Sequence, residues 1–356
     1  MPNRTYVIEN QELKFVSGIR IGIDYPLTSD FIVMYCNQRK PAEWHPLNYR
    51  KSRGGNYLDL RFTHHTNAAH FKIDIIGQQQ EPARGELIYF IPPSLQEAKN
   101  NLASKKIVFL GCVRNCETSI RSSIEKLMEL GALFDDFEIH IFENDSTDNS
   151  REILNELSRQ GRFKILSRSG LDELFPLRTQ RLAFCRNLLW DEVCINSTRP
   201  DYVCVVDMDG VIEGLPTIQG FLSSFRFEAC WDAVFPVNNG SYYDVYALRH
   251  PLICDGDYHR KFTHFDASFG MRNALWFTLQ NIGSMNFSSL PGWLEVKSAF
   301  GGMAIYKFDG LDQAHYVGID NGIETCEHVA LHSDLLRIGK RLFINPEFII
   351  ETHKVP

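Results

Sequence analysis

Four short apolar runs, IVFL, EIHIF, FKIL and DYVCVV, recur between Ile107 and Val206, separated by amphipathic segments of helical length. Nothing else in the 356 residues restricts the fold so tightly. Strands that alternate with helices at this spacing form βαβ units, and a series of such units gives a mostly parallel sheet. The first intervening segment carries Ile120, Ile124, Leu127 and Met128 on one stripe. The second, DNSREILNELSRQ from Asp148, starts with acidic and Asn/Ser residues that suit a helix N-terminus. The third reads LRTQRLAFCRNLLWDEV from Leu177. Ligands of such sheets bind beyond the carboxyl ends of the strands, so the strand tips are where chemistry is expected.

Residues 1 to about 95 are written differently. Leu58, Leu60 and Phe62 alternate on one side of a run, as do Phe71, Ile73 and Ile75. With FIVMYC and ELIYFI they make about six half-buried antiparallel strands and no helix. The segment from Ile91, IPPSLQEAKNNLASKK, breaks that pattern with two prolines and a polar tract. The expected organisation is therefore a small all-β domain over 1–95, a sandwich or barrel, a linker over 96–105, and an α/β domain over 106–356. His64, His65 and His70 have no carboxylate or cysteine at ligand spacing, so a solvated loop is expected there rather than zinc.

Net charge is −7 with no Lys/Arg block, which argues against a nucleic-acid partner. No apolar stretch approaches the ~20 residues that span a bilayer, leaving peripheral membrane contact open. MPNRTYVIENQELKF lacks the apolar core of a signal peptide. Nine cysteines without a CxxC pair fit a reducing compartment, and a cytoplasmic protein is expected.

Three strand tips are polar: GCVRNCE, ENDSTDNS and DMDG. A turn needs one or two Gly, Asn or Asp residues, not Glu143, Asn144, Asp145 and Asp148 within six positions. Clustered oxygens suit a hard divalent cation, and Asp207 with Asp209 has the charge to hold one. Taken alone, Asp-x-Asp is more often a plain turn.

In this order the motifs resemble the GT-A fold of nucleotide-sugar-dependent glycosyltransferases, a Rossmann-like, mostly parallel α/β architecture. FENDSTDNS is similar to the second-strand segment of the family 2 enzymes, which would set Glu143 against the nucleoside with Asp145 beside it. Arg114 and Asn115 would share that donor site from the first strand end. LAFCRN resembles their Ala-x-x-Arg-Asn helix and implies Arg186 and Asn187 near the nucleotide. DMDG stands in place of the DxD motif, with Asp207 toward ribose or metal, Asp209 as ligand and His353 as a last metal ligand. SAFGGMAIYK resembles a donor loop, where Gly301 and Gly302 let backbone approach the sugar. YYDVYALR, from Tyr242, is similar to a segment of fungal capsule-associated α-mannosyltransferases and brings in Asp244.

The resemblance implies transfer of a hexose, mannose first, from a nucleotide sugar to a glycan, polysaccharide or glycolipid. GDP-mannose is the first-choice donor, followed by UDP-hexoses. Mn²⁺ is favoured over Mg²⁺, because an imidazole ligand suits it better. Where the family 2 motif has Glu-Asp with Asp as base, this chain has Glu327-His328, so either could take the acceptor proton; the capsule-type resemblance leans toward retention, which needs no base. Two alternatives stay open: a sugar-nucleotide nucleotidyltransferase, and a glycan-binding protein on a transferase scaffold.

Overall fold

The alternating apolar residues of the N-terminal part do pair as antiparallel strands. The structure, a computed structural model, describes residues 4–11, 13–22, 31–37, 44–54, 56–76, 84–160, 162–196, 199–258 and 269–352. It falls into two units, Met1–Pro92 with Pro291–Trp293, and Pro93–Leu290 with Leu294–Pro356. In the first unit the described strands are β1 (Arg4–Glu9), β2 (Val16–Gly22), β3 (Phe31–Cys36), β4 (His45–Pro46), β5 (Tyr49–Gly54), β6 (Tyr57–Thr66), β7 (His70–Ile75) and β8 (Arg84–Tyr89). They make two sheets, β1-β7-β3-β4 and β5-β6-β2-β8. Ile19, Ile21, Leu58, Leu60 and Phe62 of one sheet meet Phe31, Val33, Phe71, Ile73 and Ile75 of the other in a single core. The Asn67 amide donates to the Trp293 carbonyl at 2.5 Å, and Phe15 meets the Trp293 ring edge-on, which fastens 291–293 to this unit. His64 and His65 lie on β6 and His70 opens β7, so the histidines of the expected loop stand on two strands, one from each sheet.

The polar tract expected as a linker is mostly helix. In α1 (Leu95–Leu102) the Ser94 hydroxyl accepts from the Glu97 amide and the Glu97 carboxylate accepts from the Ser94 amide. This reciprocal cap satisfies two donors that a helix start otherwise leaves bare.

The second unit continues with β9 (Lys106–Val113), α2 (Ile120–Gly131), β10 (Asp136–Asn144), α3 (Ser150–Leu157), β11 (Phe163–Arg168), α4 (Leu171–Leu174), α5 (Arg178–Asn196) and β12 (Tyr202–Asp207). Then follow α6 (Ile218–Phe225), β13 (Ala233–Asn238), α7 (Phe269–Gly283), β14 (Leu294–Val296), β15 (Met303–Lys307), the hairpin β16 (Ile319–Asp320) and β17 (Ile323–Glu324), α8 (Glu327–Arg337) and β18 (Leu342–Ile350). On α2 the stripe runs through Ile120, Ile124, Leu127 and Leu130, and Met128 faces outward.

Among the described residues the main sheet has the order β11-β10-β9-β12-β15-β13-β18-β14. β11, β10, β9 and β12 run parallel, as do β13 and β18; β15 and β14 run against their neighbours. The chain lays down β9, goes outward to β10 and β11, then returns to put β12 on the other side of β9. That reversal opens a crevice beyond the ends of β9 and β12, where sheets of this kind take ligands. Asp207 ends β12 directly across from Cys112. Because β15 is antiparallel to β12, its start lies beside the end of β12, with Val206 opposite Met303. Topology alone therefore brings the Gly301-Gly302 loop next to Asp207.

Gly111 sets the shape of that corner. A Cβ there would lie 2.7 Å from Met208 Cγ and 3.0 Å from Ile141 Cδ1. Its missing side chain is what lets Met208 bury between the two aspartates. Gly111→Ala is expected to destabilise the protein by about 1–3 kcal/mol, the usual cost of overpacking a core. Urea unfolding measures it; an unchanged midpoint would mean Met208 does not depend on this gap.

Candidate functional site

The tips of β9 and β10 first bind each other. Asn115 and Asp145 both have positive φ, 54° and 49°. The Asn115 side chain accepts from the Thr147 amide at 2.8 Å, while its own amide donates to Ser146 Oγ at 3.2 Å. Glu117 accepts from the Asn149 amide, and Asp148 accepts from the amides of Glu117 and Ser150. Asp145 accepts from the Gly170 and Leu171 amides at 2.6 and 3.0 Å, which ties β10 to the segment after β11. Glu143 is buried and accepts from Arg151, Ser146 and Ser167. Burial would raise its pKa, yet these donors hold it below the usual carboxylate value. The acidic density of ENDSTDNS is thus largely taken up as interlocks between strand ends. The inference that so many acids exceed what local structure needs is corrected by these bonds.

The DMDG turn is arranged otherwise. Met208 is buried, Asp209 is exposed and the Asp207 side chain keeps 27% of its surface. Ser119 Oγ donates to the Met208 carbonyl at 2.7 Å, and the Asp207 amide donates to the Gly302 carbonyl at 2.9 Å, so both sides of the turn are fixed. Gly301 and Gly302 have φ of 68° and 101°, which favours glycine at both positions. A Cβ on Gly302 would also meet the Tyr243 hydroxyl at 2.8 Å. Asp244 accepts from the Gly301 and Ala247 amides and braces this loop.

Beneath Asp207 lies the buried guanidinium of Arg186. Nη2 donates to Asp207 Oδ1 at 2.9 Å, and Nη1 donates to Glu327 and, at 2.8 Å, to His328 Nε2. Burial works against the Arg186 charge, but Glu327 and Asp207 outweigh it and hold the pKa above its ordinary value. Burial, then Arg186, drives the His328 pKa well below its ordinary value, which leaves Nε2 free to accept. Its ring stacks on Phe300 at 3.8 Å. His332, one turn on, is pushed by burial down to about 3 and bonds Ser298 and Tyr306. Asn187 exchanges two hydrogen bonds with the backbone of Tyr316.

A cavity of about 210 Å³ opens beyond these strand ends, lined among others by Arg114, Asn144, Arg178, Arg181, Asp207 and Asp209. Arg114 forks onto Asp172 at 2.8 and 2.5 Å, and Arg181 Nε reaches the same carboxylate at 3.1 Å. Of the residues expected at a donor or metal site, Arg114, Asp207 and Asp209 meet on this cavity. Arg186 sits behind Asp207. Asn115, Glu143, Asp145, Asn187, Asp244, Gly301, Gly302, Glu327 and His328 do not line it. His353 lies outside the described residues.

Sequence reasoning missed Arg178 and Arg181. A signal was present: they stand three apart in the first turn of α5, on one face, where the helix dipole disfavours cations. Two arginines in that place fit an anionic ligand.

Burial, and after it the neighbouring Asp209, push the Asp207 carboxyl up to about 7 against the pull of Arg186. Two carboxylates that repel at one strand end form a donor set suited to a divalent cation. Among the described residues no three His, Cys, Asp or Glu side chains converge on one point. A Mg²⁺- or Mn²⁺-like ion fits nonetheless, since such ions are held by one or two carboxylates with waters and substrate phosphates completing the shell.

No protein-family model matches the chain, and no curated protein matches its sequence. Solved structures with similarity include a mycobacterial protein at 16% identity, covering 78% of this chain and 74% of that one with a TM-score of 0.42. Glucosyl-3-phosphoglycerate synthase from Mycobacterium tuberculosis, in complex with Mn²⁺, UDP and phosphoglyceric acid, is 16% identical over 75% of this chain and 78% of its own, TM-score 0.39. S. aureus TarS 1–349 in complex with UDP is 13% identical over 70% and 60%, TM-score 0.40. Likeness at this level assigns neither donor nor acceptor.

From its ordinary 3.8 to about 7, the folded protein keeps the Asp207 proton that the unfolded chain has already released. This group's contribution to stability therefore falls as pH rises across that window. Asp207→Asn, lacking the titration, is expected to gain on the wild type in Tm from about pH 4 to about pH 7, and then level off. Thermal melts of both proteins across that range check it, and a difference independent of pH would contradict it.

Proposed function

We propose that the chain is a metal-dependent glycosyltransferase that moves a hexose from a nucleotide sugar to a glycan, polysaccharide or glycolipid. The observation that carries this reading is the meeting of Asp207 and Asp209 with Arg114, Arg178 and Arg181 on one cavity at the sheet's reversal point. Paired carboxylates beside a cluster of cations suit a diphosphate and the ion that bridges it. Asp207 and Asp209 would hold Mn²⁺ or Mg²⁺, which when bound offsets charge building up on the departing diphosphate. The arginines would take its oxygens, with forked guanidinium geometry matched to phosphate. Arg186 acts as a positioning residue, because it fixes Asp207 from below.

Glu327 and His328, either of which was expected to take the acceptor proton, are engaged with Arg186, and Asp244 with backbone amides; none of the three lines the cavity. That supports retention of configuration, which needs no such base. GDP-mannose is the donor we favour, on the resemblance carried by YYDVYALR, with UDP-hexoses next. No described helix is long and apolar enough to cross a membrane.

Thermal stability against GDP, UDP and their sugars, each with and without Mn²⁺, tests the reading. A ligand at one hundred times its Kd adds about 2.7 kcal/mol to the folded state, a readily measured rise in Tm. The expected result is a rise for one base that requires Mn²⁺, is lost in Asp209→Asn, and weakens about tenfold in Arg178→Ala, the loss of one charge-assisted contact. No rise with any nucleotide in folded protein would favour the glycan-binding reading, and a rise with nucleoside triphosphates alone would favour nucleotidyl transfer.

A further inference from the structure

The first unit carries its charge unevenly. Strands β5, β6, β2 and β8 hold six Arg and Lys residues against two acids, Asp59 and Glu86. The facing sheet is balanced, with Arg4 and Lys72 against Glu9 and Asp74. On a chain of net charge −7, a cationic surplus on one sheet is a local feature. It is densest on β5, where YRKSRG sets Arg50, Lys51 and Arg53 within four positions, all exposed.

The acids of this sheet leave that surplus standing. Asp59 accepts from Arg20 at 2.8 and 3.0 Å and from Arg61 at 3.2 Å, so it is already shared by two guanidinium groups. Glu86 lies across from Arg20 on β8, at the far edge of the sheet. Arg50 and Arg53 have no ion-pair partner among the described residues. Arg50 stands directly opposite Arg61, and like charges so placed repel. An anion held between them would relieve that cost.

β5 is also an edge: it pairs with β6 on one side, and among the described residues no strand pairs with the other. The outer backbone groups of such a strand are a template for one strand more. Strand register says what a newcomer would meet. Lys51 and Arg53 lie opposite Leu60 and Leu58, on the core side, while Arg50 lies opposite Arg61 on the outer side. Cations therefore project from both sides of the edge. A second copy of β5 would meet its own charges and be repelled. An extended acidic chain would find a cation on either side while its backbone bonds to the strand. A flat anionic membrane meets one side only, and a single-stranded nucleic acid needs open ring faces. The ring at hand, Tyr57, has the Arg20 guanidinium carbon 4.0 Å from its centroid.

We propose that β5 is a docking edge for an extended acidic segment of a partner protein, which adds as a strand and sets its carboxylates against Arg50, Lys51 and Arg53. Main-chain hydrogen bonds supply the affinity of such an addition, and the side chains its specificity. The inference does not rest on the glycosyltransferase reading.

Fluorescence anisotropy of the full chain tests it, with a labelled peptide rich in glutamate and valine. Two labelled controls go beside it: one with lysine for every glutamate, and one of equal charge with proline for every valine. Saturable binding of the first peptide alone is expected, falling with salt. Arg50→Ser with Arg53→Ser should weaken it about tenfold, the loss of two exposed charge contacts. Arg337→Ser, which removes an exposed cation of the second unit, should leave it unchanged. Equal binding of the proline peptide would mean attraction without strand pairing and would overturn the proposal. So would unaltered affinity in the double variant, or tighter binding of alginate or of phosphatidylserine vesicles than of the peptide.

Discussion

Everything at the cation-lined cavity depends on one buried charge. Arg186 enters from α5 with its guanidinium out of water, and it stays charged because Glu327 and Asp207 close on it. Removing a single member of such a group typically costs about 3–5 kcal/mol, since a charge is left buried without a partner. The network joins α5, α8 and the end of β12, three elements distant in sequence. Phe300 and Tyr316 add ring faces at 5.2 and 5.8 Å from the guanidinium carbon. The cluster is less a reagent than the base on which the exposed carboxylate stands.

Above that base, the polar strand tips divide into two kinds. Those of β9 and β10 are spent on each other, through Asn115, Glu117, Asp145 and Asp148. The tip of β12 is held by its backbone, through Ser119 and Gly302, and an Asp207 oxygen takes the Arg186 guanidinium. The acids of the other two tips accept from backbone amides and so close turns, whereas Asp207 meets a buried cation. This distinction separates Asp207 from the neighbouring acids better than their number does.

The βα alternation after Lys106 was legible because burial on both faces forces long apolar runs, and the position of DMDG at a strand end followed from it. The antiparallel sheets of the first unit were legible through period-two runs such as Phe71, Ile73 and Ile75. Helix α1 was hidden by its polarity: it shows the chain two core residues, Ala98 and Leu102, and its cap had to be recognised instead. The three donors around Glu143 were not legible, because a motif records residue types but not how many donors surround an oxygen. Arg178 and Arg181 were passed over in favour of Arg186, which the motif contains; only the fold shows that the motif arginine is sealed under Asp207 while the other two reach the cavity.

Asp172 has a further consequence. It already occupies Arg114 and Arg181 in a bidentate and an end-on contact, much as an anionic ligand would. An arriving anion must share or displace this resident carboxylate. For a singly charged guest the exchange returns about what it removes. A diphosphate that also reaches Arg178 keeps a surplus. Asp172 is thus a resident competitor, and it would weigh more heavily against monoanions than against polyanions.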